Sequence, residues 1–333
     1  MNIDFVILWV DGSDPAWLKQ KMEYQPERKD ENSAIVRYRD WGILKYWFRS
    51  VEKFTPWVRT IHFVTWGHIP EFLNRNHPKL HIVRHDEFIP VKYLPTFSSH
   101  VIELNIHRIP GLSEHFVYFN DDMFVLKRMK EQDFFYDGLP CTCGVEYPLQ
   151  FKGEIGLWQH AIINNMGLIN KSFSKKNQIE KHKKKYLSPV YHWKDNIRTK
   201  ILEIFYPDNF LGFVNLHAPN PFVLRTFEEL WESNRDTLEL TCSHRFRRNE
   251  DINQWAALWW QVAKGEFSPY VVDNFAEDIN DNSIDMLCDI IQNQKHAMIC
   301  LNDSDECENF EKLSGKLKSA FESLLPDKSS FEK

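Results

Sequence analysis

Two adjacent carboxylates, Asp121 and Asp122, follow Asn120 at the end of the apolar run Phe116–Phe119, and a second apolar run, Met123–Leu126, begins directly after them. A short aromatic and β-branched run reads as a buried strand, so both acids stand at a strand end. In α/β folds the carboxyl ends of parallel strands open into the crevice that binds ligands, on a rigid support. Adjacent side chains of an extended chain point opposite ways, so both acids serve one site only where the strand has already turned. Hard oxygen ligands there suit Mg2+ or Mn2+ and phosphate chemistry. An ordinary Asn-Asp turn after a strand is the plain alternative.

Other polar stretches add groups that such chemistry needs. His217 lies just ahead of Pro219 and Pro221, and an imidazole on a rigid backbone, with a pKa near neutral, is placed for general-base work; a structural role is the bland reading. Arg245, Arg247 and Arg248 crowd ahead of Asn249, Glu250 and Asp251. Helix capping accounts for the last three but not for the arginines, whose planar forks match phosphate. Arg37 and Arg39 precede a helix and could grip a diphosphate or solvate the surface equally. Asp11-Gly12-Ser13-Asp14 closes the first strand; a Gly-Ser turn leading into a helix can offer backbone N–H groups to phosphate, or be simple punctuation. Asn302-Asp303 repeats the strand-then-acid pattern near the end of the chain.

The elements that must carry these groups alternate. Strands are predicted at Asp4–Val10, Val58–Trp66, Leu80–Arg84 and the run before Asn120, with helices at Ala16–Tyr24, Ile43–Lys53 and Val101–Ile106. That order predicts an α/β fold with an open, mostly parallel sheet flanked by helices. Further on, Cys141–Trp158 reads as a Gly-containing strand pair, and His160–Leu168, Val223–Asn234 and Trp255–Val262 as helices. Asn309–Lys333 reads as an amphipathic helix and a charged tail. Lys171–Lys185 carries seven lysines and reads as a solvated insertion; the alternative is an electrostatic arm for a polyanionic acceptor or an anionic membrane leaflet.

With 43% hydrophobic and 26% charged residues the chain is globular, which excludes wholesale disorder. A net charge of −6 argues against a broad nucleic-acid surface. Six cysteines without a C-x-x-C pair point to free thiols in a reducing cytosol. The first ten residues lack a signal peptide's basic start, and no run is long enough to span a membrane. A cytoplasmic protein is expected, with the lysine segment offering peripheral contact at the inner face of the cell membrane.

Taken together, these pieces resemble the Stealth family of sugar-1-phosphate transferases, which includes bacterial capsular polysaccharide phosphotransferases. The likeness runs in order through Asp4–Pro15, through Arg37 to about Arg128, through Leu216–Pro219 with the helix after it, and through His244–Gln254 with Cys300–Asp303. Residues about 140–210 and the tail match no family block that can be placed. The resemblance implies a single catalytic domain over residues 1–305 of Rossmann-like, nucleotide-sugar transferase type, with a helical and basic insertion at about 140–210, and a C-terminal helix and tail over 306–333. It implies transfer of a sugar-1-phosphate from a nucleotide-sugar donor to a hydroxyl of a glycan or capsular polysaccharide acceptor. Asp121 and Asp122 would hold the cation, His217 would take the acceptor proton and Arg247 would grip the transferred phosphoryl group. Asp11, Gly12, Ser13, Asp14 and Arg39 would line the donor pocket, with Asp303 and Asp251 as further members. A metal-dependent glycosyltransferase forming a plain glycosidic bond, or a glycan-binding protein without catalysis, are the alternatives.

Overall fold

The computed structural model describes residues 1–25, 38–214, 217–303, 307 and 309–333; Arg37 lies outside them. Strand β1 (Ile3–Leu8) leads through the Asp11–Asp14 turn into α1 (Pro15–Tyr24), and α2 (Leu44–Phe54), β2 (Ile61–Thr65), β3 (Leu80–Arg84) and the short α3 (His85–Phe88) follow. Next come α4 (Ser99–Asn105), β4 (His115–Phe119) and β5 (Met123–Val125), then β6 (Phe135–Tyr136) and β7 (Leu139–Thr142). A helical stretch holds α5 (Leu157–Ser172), α6 (Lys175–Tyr186) and α7 (Trp193–Phe205). The rest comprises β8 (Asn220–Val223), α8 (Leu224–Ser233), α9 (Arg235–Ser243), α10 (Trp255–Lys264), β9 (Ser268–Pro269), β10 (Asn274–Asp278), α11 (Ile284–Gln292), β11 (Met298–Asn302) and α12 (Phe310–Leu324).

The main sheet has the order β3-β2-β1-β4-β8, with the first four strands parallel and β8 antiparallel at the edge. Its central strands are apolar on both sides because both faces are covered. Phe5, Ile7, Val117 and Phe119 face a core completed by α2, α11 and α12, whereas Val6, Phe116 and Tyr118 face one built with α4, α8 and α10. A second sheet, β10-β11-β5, lies beyond the end of β4, with β11 antiparallel to β5. This is the expected α/β architecture.

Three local expectations change. Residues 141–158 are not a strand pair: β7 ends at Thr142, and only Glu146 makes an isolated bridge, to Phe213. Lys171–Lys185 is not loose insertion, because α6 is packed through Ile179, Tyr186 and Lys175. Lys175 is fully buried, and its ammonium donates to Glu146 Oε1 at 2.9 Å and to the Leu202 carbonyl at 3.1 Å. The charged tail is pinned as well. Phe331 is buried, Glu332 receives the Arg49 guanidinium at 2.8 and 3.0 Å, and the Lys333 amide donates to the Phe72 carbonyl.

Candidate active site at converging strand ends

Strand register brings distant residues to one place. In the antiparallel β4–β8 pair Tyr118 lies opposite Asn220, and carrying that register onward sets His217 level with Asp121. In the β5–β11 pair Cys300 lies opposite Met123, and the Leu301 amide donates to the Asp122 carbonyl at 2.9 Å. Asp303, at the end of β11, therefore comes level with the Asn120–Asp121 turn. The parallel pairing of β1 with β4 delivers the Asp11–Asp14 loop to the same edge.

At the centre, side-chain ligand atoms of Asp122, His217 and Cys300 all lie within 4.8 Å of one another. Asp122 Oδ1 is buried and takes no hydrogen bond. Asp121, next to it, is an exposed residue. Loss of surrounding bulk water, then Asp122, then the more distant Asp40 and Asp303, push its carboxyl up to about 7. Burial likewise raises Asp122, opposed by His217 and by the Cys300 thiol. Acids crowded to this degree form a site short of positive charge, which an oxygen-ligated divalent cation would supply. The groups that would hold it are Asp122, with one open buried oxygen beside the His217 imidazole, and the adjacent Asp121.

Cys300 is the group that sequence reasoning missed. Burial and the neighbouring Asp122 hold its thiol well above the usual range, so it stays protonated. That proton is directed at oxygen, either Asp122 or Asn302 Oδ1 at 3.3 Å. The sulfur is 3.5 Å from His217 Nδ1, and in the tautomer with the proton on Nδ1 it accepts that N–H and Nε2 keeps a free lone pair. Asn274 Nδ2 donates to the His217 carbonyl at 2.9 Å, and Trp255 packs edge-on to the imidazole at 6.1 Å, so the ring is fixed from several sides. Nothing local in the sequence links residue 300 to 217; only the two antiparallel pairings do.

The remaining predicted residues divide. Arg247 donates to Ser99 Oγ at 2.6 Å, and its charge acts on Tyr118, whose hydroxyl donates to Asn120 Oδ1 at 2.6 Å beside the acids. Arg39 is on the same side, but its fork is held by both oxygens of Asp303 and lies over the Phe310 ring at 4.7 Å. Asp11 Oδ1 accepts from the Ser13 amide and hydroxyl, and the Asp11 amide donates to His68 Nε2 at 2.8 Å. Gly12 is required by space: a Cβ there would meet the Tyr38 carbonyl oxygen at 2.0 Å. Asp14 Oδ1 accepts the Ala16 and Trp17 amides, so the terminus of α1 that was expected to face a phosphate is capped by the chain's own carboxylate.

Asp251 stands apart from the acids at the strand ends. It is fully buried, with His244 Nδ1 at 2.7 Å, His100 Nδ1 at 3.4 Å and the Arg248 amide at 2.8 Å, and so shapes the arginine loop from within. In that loop Arg245 is also spoken for, donating to the Pro95 carbonyl and lying over Tyr24.

Models of three conserved regions of Stealth proteins match this chain: region 1 over residues 1–27, region 2 over 37–141 and region 4 over 289–333. Region 4 thus includes the tail that matched no expected block, and it leaves out His244–Gln254, which had been assigned to it. The capsular polysaccharide phosphotransferase WcwK of Streptococcus pneumoniae is 38% identical over 339 residues, covering 100% of this chain and 99% of that protein. The exopolysaccharide phosphotransferase cps2G of Lactiplantibacillus plantarum is 37% identical, with 100% and 96% covered. The receptor polysaccharide phosphotransferase WefC of Streptococcus gordonii is 38% identical, with 99% of each chain covered. Among solved structures, the galactosyltransferase LgtC with donor and acceptor sugar analogs aligns over 95% of each chain at 10% identity and a TM-score of 0.37, a likeness too loose to carry an argument.

Proposed function

The chain belongs to the Stealth protein family, and from that premise we propose that it is a bacterial phosphotransferase of polysaccharide synthesis, moving a sugar-1-phosphate from a nucleotide-sugar donor to a hydroxyl of a glycan acceptor. The observation that carries the reading is the meeting of Asp122, His217 and Cys300 side chains beside Asp121 at one sheet edge.

In the proposed reaction the acceptor oxygen attacks the donor phosphorus next to the sugar. The new oxygen–phosphorus bond forms as the bond to the leaving nucleoside monophosphate breaks. His217 Nε2 takes the hydroxyl proton, with Nδ1 held by Cys300, and Arg247 offsets charge on the phosphoryl oxygens. Asp121 and Asp122 would hold Mg2+ or Mn2+, which when bound supplies Lewis-acid neutralisation of phosphate charge. Arg39 is held in reserve by Asp303 and reaches phosphate only by exchanging that partner. The Asp11–Asp14 loop, at the same edge, forms one wall for the donor.

Among the described residues no helix is long and apolar enough to cross a membrane. The proposal includes a cytoplasmic location, with the lysine segment contacting an anionic polymer or the inner membrane face; the exposed Lys171, Lys176, Lys181, Lys183 and Lys184 support that contact. The test is product analysis with a panel of nucleotide sugars and short glycan acceptors. Nucleoside monophosphate release and a phosphodiester signal in phosphorus NMR, both lost in His217→Ala, are expected. Nucleoside diphosphate release with a plain glycosidic bond would overturn the proposal.

A further inference from the structure

Helix α7 faces the wrong way for an ordinary surface helix. Its buried residues are Thr199 and Leu202, whereas Trp193 is 61% exposed, Ile204 73% and Phe205 72%, with Ile197 and Ile201 exposed between them. At 100° per residue these five side chains fall on one outward arc of about 120°, which makes a continuous apolar ridge rather than scattered exposures. Lys194 and Lys200 emerge on the same side, and the neighbouring α6 exposes Lys176, Lys181, Lys183 and Lys184. Among residues 171–206 Glu180 is the exposed acid and Asp195 and Glu203 are half-buried, in a chain whose net charge is −6. A strongly basic surface around an apolar ridge is thus concentrated on the α6–α7 face.

We propose that α7 lies in the plane of an anionic lipid bilayer, its isoleucine and aromatic ridge entering the headgroup–acyl boundary while the lysines of α6 and α7 pair with lipid phosphates. An amphipathic helix rich in Lys with Trp and Phe on its apolar side binds in this manner. Charge selects this occupant. A second copy docked on the same patch would set lysines against lysines, and a polyanionic glycan would satisfy the lysines but leave the isoleucine ridge in water. The inference rests on the electrostatic reading of the lysine segment and deepens it by assigning the apolar contact to a different helix.

The full-length protein is sedimented with vesicles of phosphatidylglycerol and phosphatidylcholine in equal parts, and with phosphatidylcholine alone. Binding to the anionic vesicles is expected, weakening at least tenfold when salt rises from about 0.05 to 0.5 M, since exposed charges are screened over that range. Lys183→Glu/Lys184→Glu tests the electrostatic reading and Ile201→Asp/Ile204→Asp tests the ridge; each is expected to lose at least tenfold in vesicle affinity. The milder Ile204→Ser/Phe205→Ser pair should show the same direction, and turnover on a short soluble acceptor should stay within twofold in every variant. Loss with the lysine pair but unchanged binding with both ridge pairs overturns this inference and leaves the electrostatic reading standing. No binding to either vesicle overturns both. A dimer in light scattering that the ridge substitutions split, with no vesicle binding, overturns it in favour of a second copy.

Discussion

Replacing Cys300 by alanine tests how the imidazole is set for catalysis. The sulfur is 3.5 Å from His217 Nδ1, and it accepts that N–H only because its own proton goes to oxygen. Removing it leaves Nδ1 without its partner and lets the ring adopt the other tautomer, in which Nε2 carries the proton and is no base. A hydrogen bond of this kind is worth about 1 kcal/mol net, or a roughly fivefold preference, so kcat should fall by about fivefold at most. That is well short of the ~100- to 10,000-fold expected when the base itself is removed in His217→Ala. Serine offers a donor and an acceptor at the same position, so Cys300→Ser should retain activity within about twofold to threefold. The assay is nucleoside monophosphate release at saturating donor across a pH series, with the acidic limb of the alanine variant displaced relative to wild type. Equal loss in serine and alanine would mean that packing matters and the hydrogen bond does not. No loss in alanine would remove Cys300 from the reaction altogether.

Chelation, or Asp122→Asn, should lower turnover at least ~100-fold, with Mn2+ or Mg2+ restoring the chelated wild type; full turnover in excess EDTA would refute the metal assignment. Lys175→Ala leaves Glu146 charged and unpaired in the interior and should cost about 3–5 kcal/mol in urea unfolding, against under about 0.5 for the exposed neighbour Lys176→Ala. Equal effects would show that the pair is immaterial. Burial alone would raise the Asp4 carboxyl, but hydrogen bonds from Arg59, His62 and the Ser113 amide hold it below the ordinary 3.8. Its stabilisation is therefore complete above that value and is lost as pH falls through the lower folded value. Asp4→Asn should be less stable than wild type at pH 6, with the gap closing on acidification; a gap constant from pH 6 to pH 3 would contradict this.

The central strands were legible because both their faces are buried, which writes β1, β2 and β4 as mostly apolar runs, with exceptions such as the buried Asp4 and His62, which bond each other. The acids at residues 121 and 122 were legible because they come together, after Asn120, at the point where an apolar run ends. The prolines after His217 were read only as making a rigid backbone, and β8 was not expected; Pro221 is admitted there because β8 is an edge strand. That misreading mattered, for it is the β4–β8 register that carries His217 to the acids. Lys175 could not be told from its six neighbours in a lysine-rich run, because its distinction lies in Glu146, on another part of the chain. Cys300 was invisible for a like reason.

The pinned tail has a consequence for the far side of the molecule. Helix α12 runs from Phe310, under the Arg39 guanidinium, to Leu324; the next residue, Leu325, accepts from Arg49 through its carbonyl, while Glu332 holds the other side of that same arginine. Ser314 meanwhile ties the helix to the Trp41 carbonyl. The last eight residues thus act as a buckle on a belt. Unfasten it by trimming them, and the slack would be felt at the other end of the helix, where Arg39 and Asp303 clasp each other beside the acidic strand ends.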